Sequence, residues 1–178
     1  MSDPRDDFRA ALDWAVAKAA AVTPAQLEID SPNAGWTVRQ LLEHVIGSAG
    51  FIVTAFGGTP PDASGDDPVA DFAQAAQAAR EAIADDAGLA REVDWVSGKI
   101  PAAALLGIFT PEFLVHGWDI ASVTGQEAEA PAALAERVLQ LAKVGVPAEG
   151  RNPQAFGPVV EAPAGSGPTR QLAAWLGR

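Results

Sequence analysis

The chain contains two histidines, and one of them stands in a spacing that can support chemistry. Glu112 and His116 are four residues apart, so on a helix they project from the same side. Leu105, Phe109, Ile120 and Val123 fall on that side as well, which marks it as a core-facing stripe. A carboxylate on such a stripe is costly unless it is paired or binds a metal. The other histidine, His44, lies along the Leu41–Ser48 line at the edge of a second apolar helix face. If the two helices face each other, two imidazoles and one carboxylate meet inside the protein. That set has the make-up of a catalytic zinc site, with three His and Glu ligands and positions left for water or substrate. The same spacing also fits ordinary half-buried polar groups, because Glu-x-x-x-His pairs are common on helices. Asp119, one turn beyond His116, either orients a ligand imidazole or bonds to a nearby arginine or backbone group.

The elements that must hold these residues read as helices. Asp3-Pro4 forms an N-cap with proline at the first helical position, and Phe8, Leu12, Ala15, Val16 and Ala19 recur at helical spacing over about residues 4–22. Thr37-Val38-Arg39-Gln40 matches a capping box and opens a second helix. This helix carries Leu41, Leu42, Val45, Ala49, Ile52, Val53 and Phe56, and it stops at Gly57-Gly58. An Ala-rich helix is expected at about 68–85. Residues 86–100, with Val93, Trp95, Val96 and Ile100 around Ser97-Gly98, read as extended or as a weak hairpin. A helix over about 101–123 contains Glu112 and His116. Pro111 inside it removes one hydrogen bond and predicts a bend. A further helix follows at about 131–145. Residues 147–168 are rich in Pro and Gly, and a short last helix carries Leu172, Trp175 and Leu176, which implies docking onto the rest.

Composition removes several classes of function. The net charge is −11, with three lysines and nine scattered arginines, so neither nucleic acid nor an anionic membrane surface is an expected partner. There is no cysteine, which excludes disulfides, thiolate zinc sites and a cysteine nucleophile. Any reactive thiol must arrive with a substrate. The start Met-Ser-Asp-Pro-Arg-Asp-Asp has neither the basic nor the apolar part of an export signal. No stretch approaches the roughly 18 apolar residues of a membrane span. The expected location is the cytoplasm.

Two segments carry a family resemblance. Trp36-Thr37-Val38-Arg39-Gln40-Leu41-Leu42-Glu43-His44 resembles the start of the second helix in DinB-like proteins of the mycothiol-dependent maleylpyruvate isomerase type. Glu112-Phe113-Leu114-Val115-His116-Gly117-Trp118-Asp119-Ile120-Ala121 resembles the fourth-helix signature of those proteins. Arg151, Phe156-Gly157-Pro158 and Leu176-Gly177-Arg178 are similar to one metal-binding subfamily of the group.

The resemblance implies an all-α chain: one DinB-like four-helix bundle domain over 1–178, with the bundle at about 1–146 and a short extension at about 147–178 packed on it. It places the family's metal triad on His44, Glu112 and His116, with zinc the expected divalent metal. It further implies a low-molecular-weight thiol such as mycothiol as cofactor, and S-transferase or isomerase-like chemistry on an electrophile. The expected partners are that small-molecule thiol and its electrophile, and a homodimer is left open. Two departures stand out. The chain runs only a short way past the bundle, so the second domain of the isomerases is expected to be missing, which argues against maleylpyruvate isomerisation itself. Pro111 also occupies a position where an ordinary helix former is expected. The rival readings are a non-catalytic metal- or ligand-binding bundle, a structural bundle with an incidental metal, and a ferrous oxygenase using the same ligand types. Trp36, Trp118 and Arg39 lie near the motifs. Core packing is expected of the tryptophans, and a solvated face or salt bridge of the arginine.

Overall fold

The computed structural model describes residues 3–33, 35–153 and 155–178. Met1 and Ser2, which begin the stretch read for an export signal, lie outside the described residues. The elements run α1 (Pro4–Ala20), a 3-10 turn (Pro24–Gln26), α2 (Val38–Ala55), α3 (Pro68–Ala82), α4 (Asp86–Leu89), β1 (Glu92–Trp95), β2 (Gly98–Pro101), α5 (Ala102–Thr124), α6 (Ala132–Gly145) and α7 (Pro168–Trp175).

Most helix starts follow from local chemistry. Asp3 accepts from the Arg5 N–H at 2.9 Å, with Pro4 in the first turn. Thr37 and Gln40 form a reciprocal capping box at the head of α2, so two otherwise unpaired N–H groups are satisfied. Asp67 caps α3 in front of Pro68. Gly125, at φ 76°, closes α5 in the left-handed conformation that an L side chain adopts only with strain. Pro111 does not interrupt α5, which remains one helix of 23 residues.

α1 lies along α5 and also touches α3, while α2 lies along α3 and meets α5. Phe8, Leu12, Leu41, Leu42, Ile52, Phe72, Leu105, Phe113, Leu114 and Ile120 are fully buried between these helices. α6 packs on α5, and α7 packs on both. The extension shares the core: Leu172 and Ala173 are fully buried, and each buried leucine contributes roughly 1.5–3 kcal/mol. Polar ties add to this docking. Glu129 accepts from the Thr169 and Arg170 N–H groups at the head of α7, and Trp175 Nε1 donates to the Val146 carbonyl at 2.9 Å.

The chain is mostly helical but not all-α. β1 and β2 form an antiparallel hairpin in which Val93 faces Ile100 and Trp95 faces Gly98. The reason is local. Val93 and Trp95 alternate with Asp94 and present one half-buried face, and Gly98 takes φ 108° just past the turn. The third helix also ends at Ala82 rather than near 85, and a separate turn of helix capped by Asp85 follows.

Candidate metal centre

Side-chain pairs join α2 to α5 in three successive layers. The rings of His44 and His116 meet edge to face at 5.1 Å between centroids. Ser48, one turn past His44, donates its hydroxyl to Glu112 Oε1. Phe51 stacks on Phe109 at 5.7 Å. Rising numbers on α2 meet falling numbers on α5, so the two helices run antiparallel, and each pair is a rung about one turn from the next. His44, Glu112 and His116 therefore come together, and each offers a ligand atom within 4.8 Å of the other two.

The site grades from open to closed. The His44 side chain is 37% exposed, Glu112 24% and His116 6%. A small molecule can approach from the His44 side, while His116 is fixed from behind. Burial pushes the Glu112 carboxyl up. The hydrogen bond from His44, the electrostatic pull of His116 and the Ser48 hydroxyl outweigh burial and hold it below the ordinary carboxylate range. The charged form, which ligates, is thus the one the site favours.

His116 Nδ1 lies 3.0 Å from Asp119 Oδ2. Asp119 is completely buried, and the Arg178 guanidinium reaches both of its oxygens at 3.2–3.3 Å. A carboxylate held by a guanidinium accepts hydrogen bonds and does not donate them. His116 then presents an Nδ1–H to Asp119, and in the neutral ring this leaves the Nε2 lone pair free.

This donor set could hold a divalent metal. Two ligands each about 2.0–2.2 Å from a tetrahedral ion lie roughly 3.3–3.6 Å apart. His44 Nε2 and Glu112 Oε1 are 3.3 Å apart. A carboxylate behind the imidazole completes the usual arrangement around a ligating histidine.

The family is decided by comparison with known proteins. The model of the mycothiol maleylpyruvate isomerase N-terminal domain matches residues 8–121, which include His44, Glu112, His116 and Asp119. The chain belongs to that family. It is also 33% identical over 179 residues to an uncharacterized protein of Mycobacterium tuberculosis, Rv0738 in strain H37Rv and MT0763 in strain CDC 1551. Each of those alignments covers 99% of this chain and 98% of the relative. No solved structure matches.

The other residues singled out in the sequence divide. The Trp36 ring lies 4.9 Å from that of His44 and packs partly on the core, so it borders the triad. Arg39 pairs with Glu28 at 3.2 Å on the surface. Trp118 faces the Arg170 guanidinium at 5.2 Å. Sequence reasoning gave neither Ser48 nor Arg178 a role at the site. Ser48 had a signal, since it lies one helical turn from His44 on the same line. Arg178 is marked only as part of the tail motif, and its link to Asp119 had no signal, because 59 residues separate the two and no periodicity spans that gap.

Proposed function

We propose that this protein is a metal-dependent thiol transferase or isomerase-like enzyme of the cytoplasm, built as one domain on a four-helix bundle of α1, α2, α3 and α5. His44, Glu112 and His116 hold one divalent ion, zinc by the chemistry of the donor set. The convergence of those three donors between α2 and α5, with Asp119 behind His116, carries the reading. When bound, the ion leaves a site of net charge near +1 and favours the deprotonated form of a thiol or water at its open position. Ser48 fixes the Glu112 carboxylate, and Asp119 fixes the His116 ring.

The surroundings suit an apolar electrophile. Phe51, Trp95 and Phe109 pack their rings within 5.7–6.0 Å of one another, one turn along from the Ser48–Glu112 bond, and Trp36 stands at the opposite end beside His44. The chain has no cysteine of its own to compete for an electrophile or to trap the thiol as a mixed disulfide. Membership of a mycothiol-linked family supports a mycothiol-type thiol as the incoming group.

Cobalt substitution tests this reading. Mycothiol, or a simple thiol in its place, should produce a sulfur-to-cobalt charge-transfer band that weakens as pH falls, because the protonated thiol ligates poorly. The protein should then consume thiol catalytically with an electrophile. A band without turnover would indicate a binding protein. No band at any pH, in protein shown to contain cobalt, would remove thiol chemistry.

A further inference from the structure

Beyond the three donors, one buried ionic chain reaches the site from the far end of the sequence. Arg178 follows α7, and its side chain is 7% exposed. Its guanidinium contacts both oxygens of Asp119 and also donates to the Leu176 carbonyl at 3.0 Å. The segment bearing it is fixed as well, since the Arg178 N–H donates to the Ala173 carbonyl at 2.9 Å and Arg170 donates to the Arg178 carbonyl at 3.1 Å. Asp119 Oδ2 is shared between Arg178 and His116 Nδ1. Buried guanidinium and carboxylate groups are costly unless each is fully paired, and this pairing serves both.

We propose that Arg178 is a positioning residue for the metal centre: it clamps Asp119, which in turn sets the ring orientation of His116, so that docking of the 147–178 segment and metal affinity are coupled. The proposal rests on the metal reading above. The physical reason lies in the geometry of the carboxylate. A lone Asp119 with one imidazole partner can rotate about its side-chain bonds, and the ring then follows. A guanidinium fork reaching both oxygens removes that rotation. Groups behind a ligating histidine typically change metal affinity by about 10- to 100-fold when removed.

The test uses the full chain and cobalt alone. Cobalt affinity by chelator competition, and the melting temperature of the metal-free protein, are measured for wild type, Arg178→Gln, Arg178→Lys, Asp119→Asn and Arg151→Gln. Arg151 pins the same segment through the Gly157 and Trp175 carbonyls without touching Asp119. Arg178→Gln should lose about 10-fold or more in affinity, Arg178→Lys should recover part of it, and Arg151→Gln should keep wild-type affinity. The double variant of Arg178→Gln and Asp119→Asn should lose no more than the worse single one, as members of one chain do. An Arg151→Gln loss as large as that of Arg178→Gln would assign the effect to docking in general and overturn the proposal. If Arg178→Gln does not fold, Arg178→Lys decides: weakened affinity supports the coupling and wild-type affinity overturns it. A second readout needs no metal. The His116 Nδ1–H proton should give a slowly exchanging, downfield resonance in wild type that Arg178→Gln loses. If wild type binds no cobalt and Arg178→Gln still loses that signal, the metal reading fails and the positioning chain stands. An unchanged signal in Arg178→Gln overturns the proposal whatever the metal does.

Discussion

Gly117 on α5 packs directly against Trp14 on α1: a Cβ at position 117 would lie 2.6 Å from Cδ1 and Nε1 of the indole. The same added atom would come within 3.2 Å of the Ala15 Cα, which is backbone and cannot swing aside. Gly117 directly follows His116, so α1 closes on α5 one residue from the candidate ligand.

Gly117→Ala should therefore destabilise the protein although alanine is the better helix former. Overpacking of this kind costs about 1–3 kcal/mol. Chemical unfolding would measure it. Stability equal to or above wild type would mean that α1 and α5 are not held at this spacing.

Docking of the extension makes a second prediction. Leu172 is completely buried within the shared core. Leu172→Ala should cost about 2–5 kcal/mol by leaving a cavity, and should lower the melting temperature of the whole transition rather than create a separate early one. A variant that melts like wild type would show that the 147–178 segment contributes nothing to the fold.

Acid sensitivity follows from Asp71. Its carboxylate accepts from the Gly65 N–H at 2.9 Å and from Ser64 Oγ at 3.1 Å, and the Gly65 bond foremost holds it below the ordinary carboxylate range. A carboxyl whose folded pKa is depressed adds stability above its unfolded pKa. That stability is lost as pH falls from the unfolded value through the folded one. Unfolding curves should thus weaken below about pH 4 in wild type, and by less in Asp71→Asn. Identical acid limbs for the two proteins would contradict this pairing.

Much of this arrangement is legible in the sequence because it is local. The Thr37–Gln40 capping box and the Asp3-Pro4 start depend on residues three apart or fewer, and both are present as read. The i, i+4 relation of Glu112 and His116 likewise follows from helix geometry alone. Other features depend on which helices meet. The pairing of α2 with α5 is what brings Ser48 to Glu112, and a serine on an apolar stripe carries no mark of its partner. The hairpin at 92–101 is weakly marked because its apolar alternation is only Val93 and Trp95 on β1 and Ile100 alone on β2. Leu176-Gly177-Arg178 stands out only as a tail motif, and nothing in that motif pairs Arg178 with Asp119, 59 residues away.

The central claim is that His44, Glu112 and His116 form one metal site, and elemental analysis of protein purified without a histidine tag tests it most directly. Wild type should carry about one divalent ion per chain, predominantly zinc. His116→Ala should lose most of it while keeping its helical circular dichroism, because His116 is one side chain among many on a continuous helix. Equal metal content in His116→Ala and wild type, or none in wild type after growth with zinc, would contradict the account.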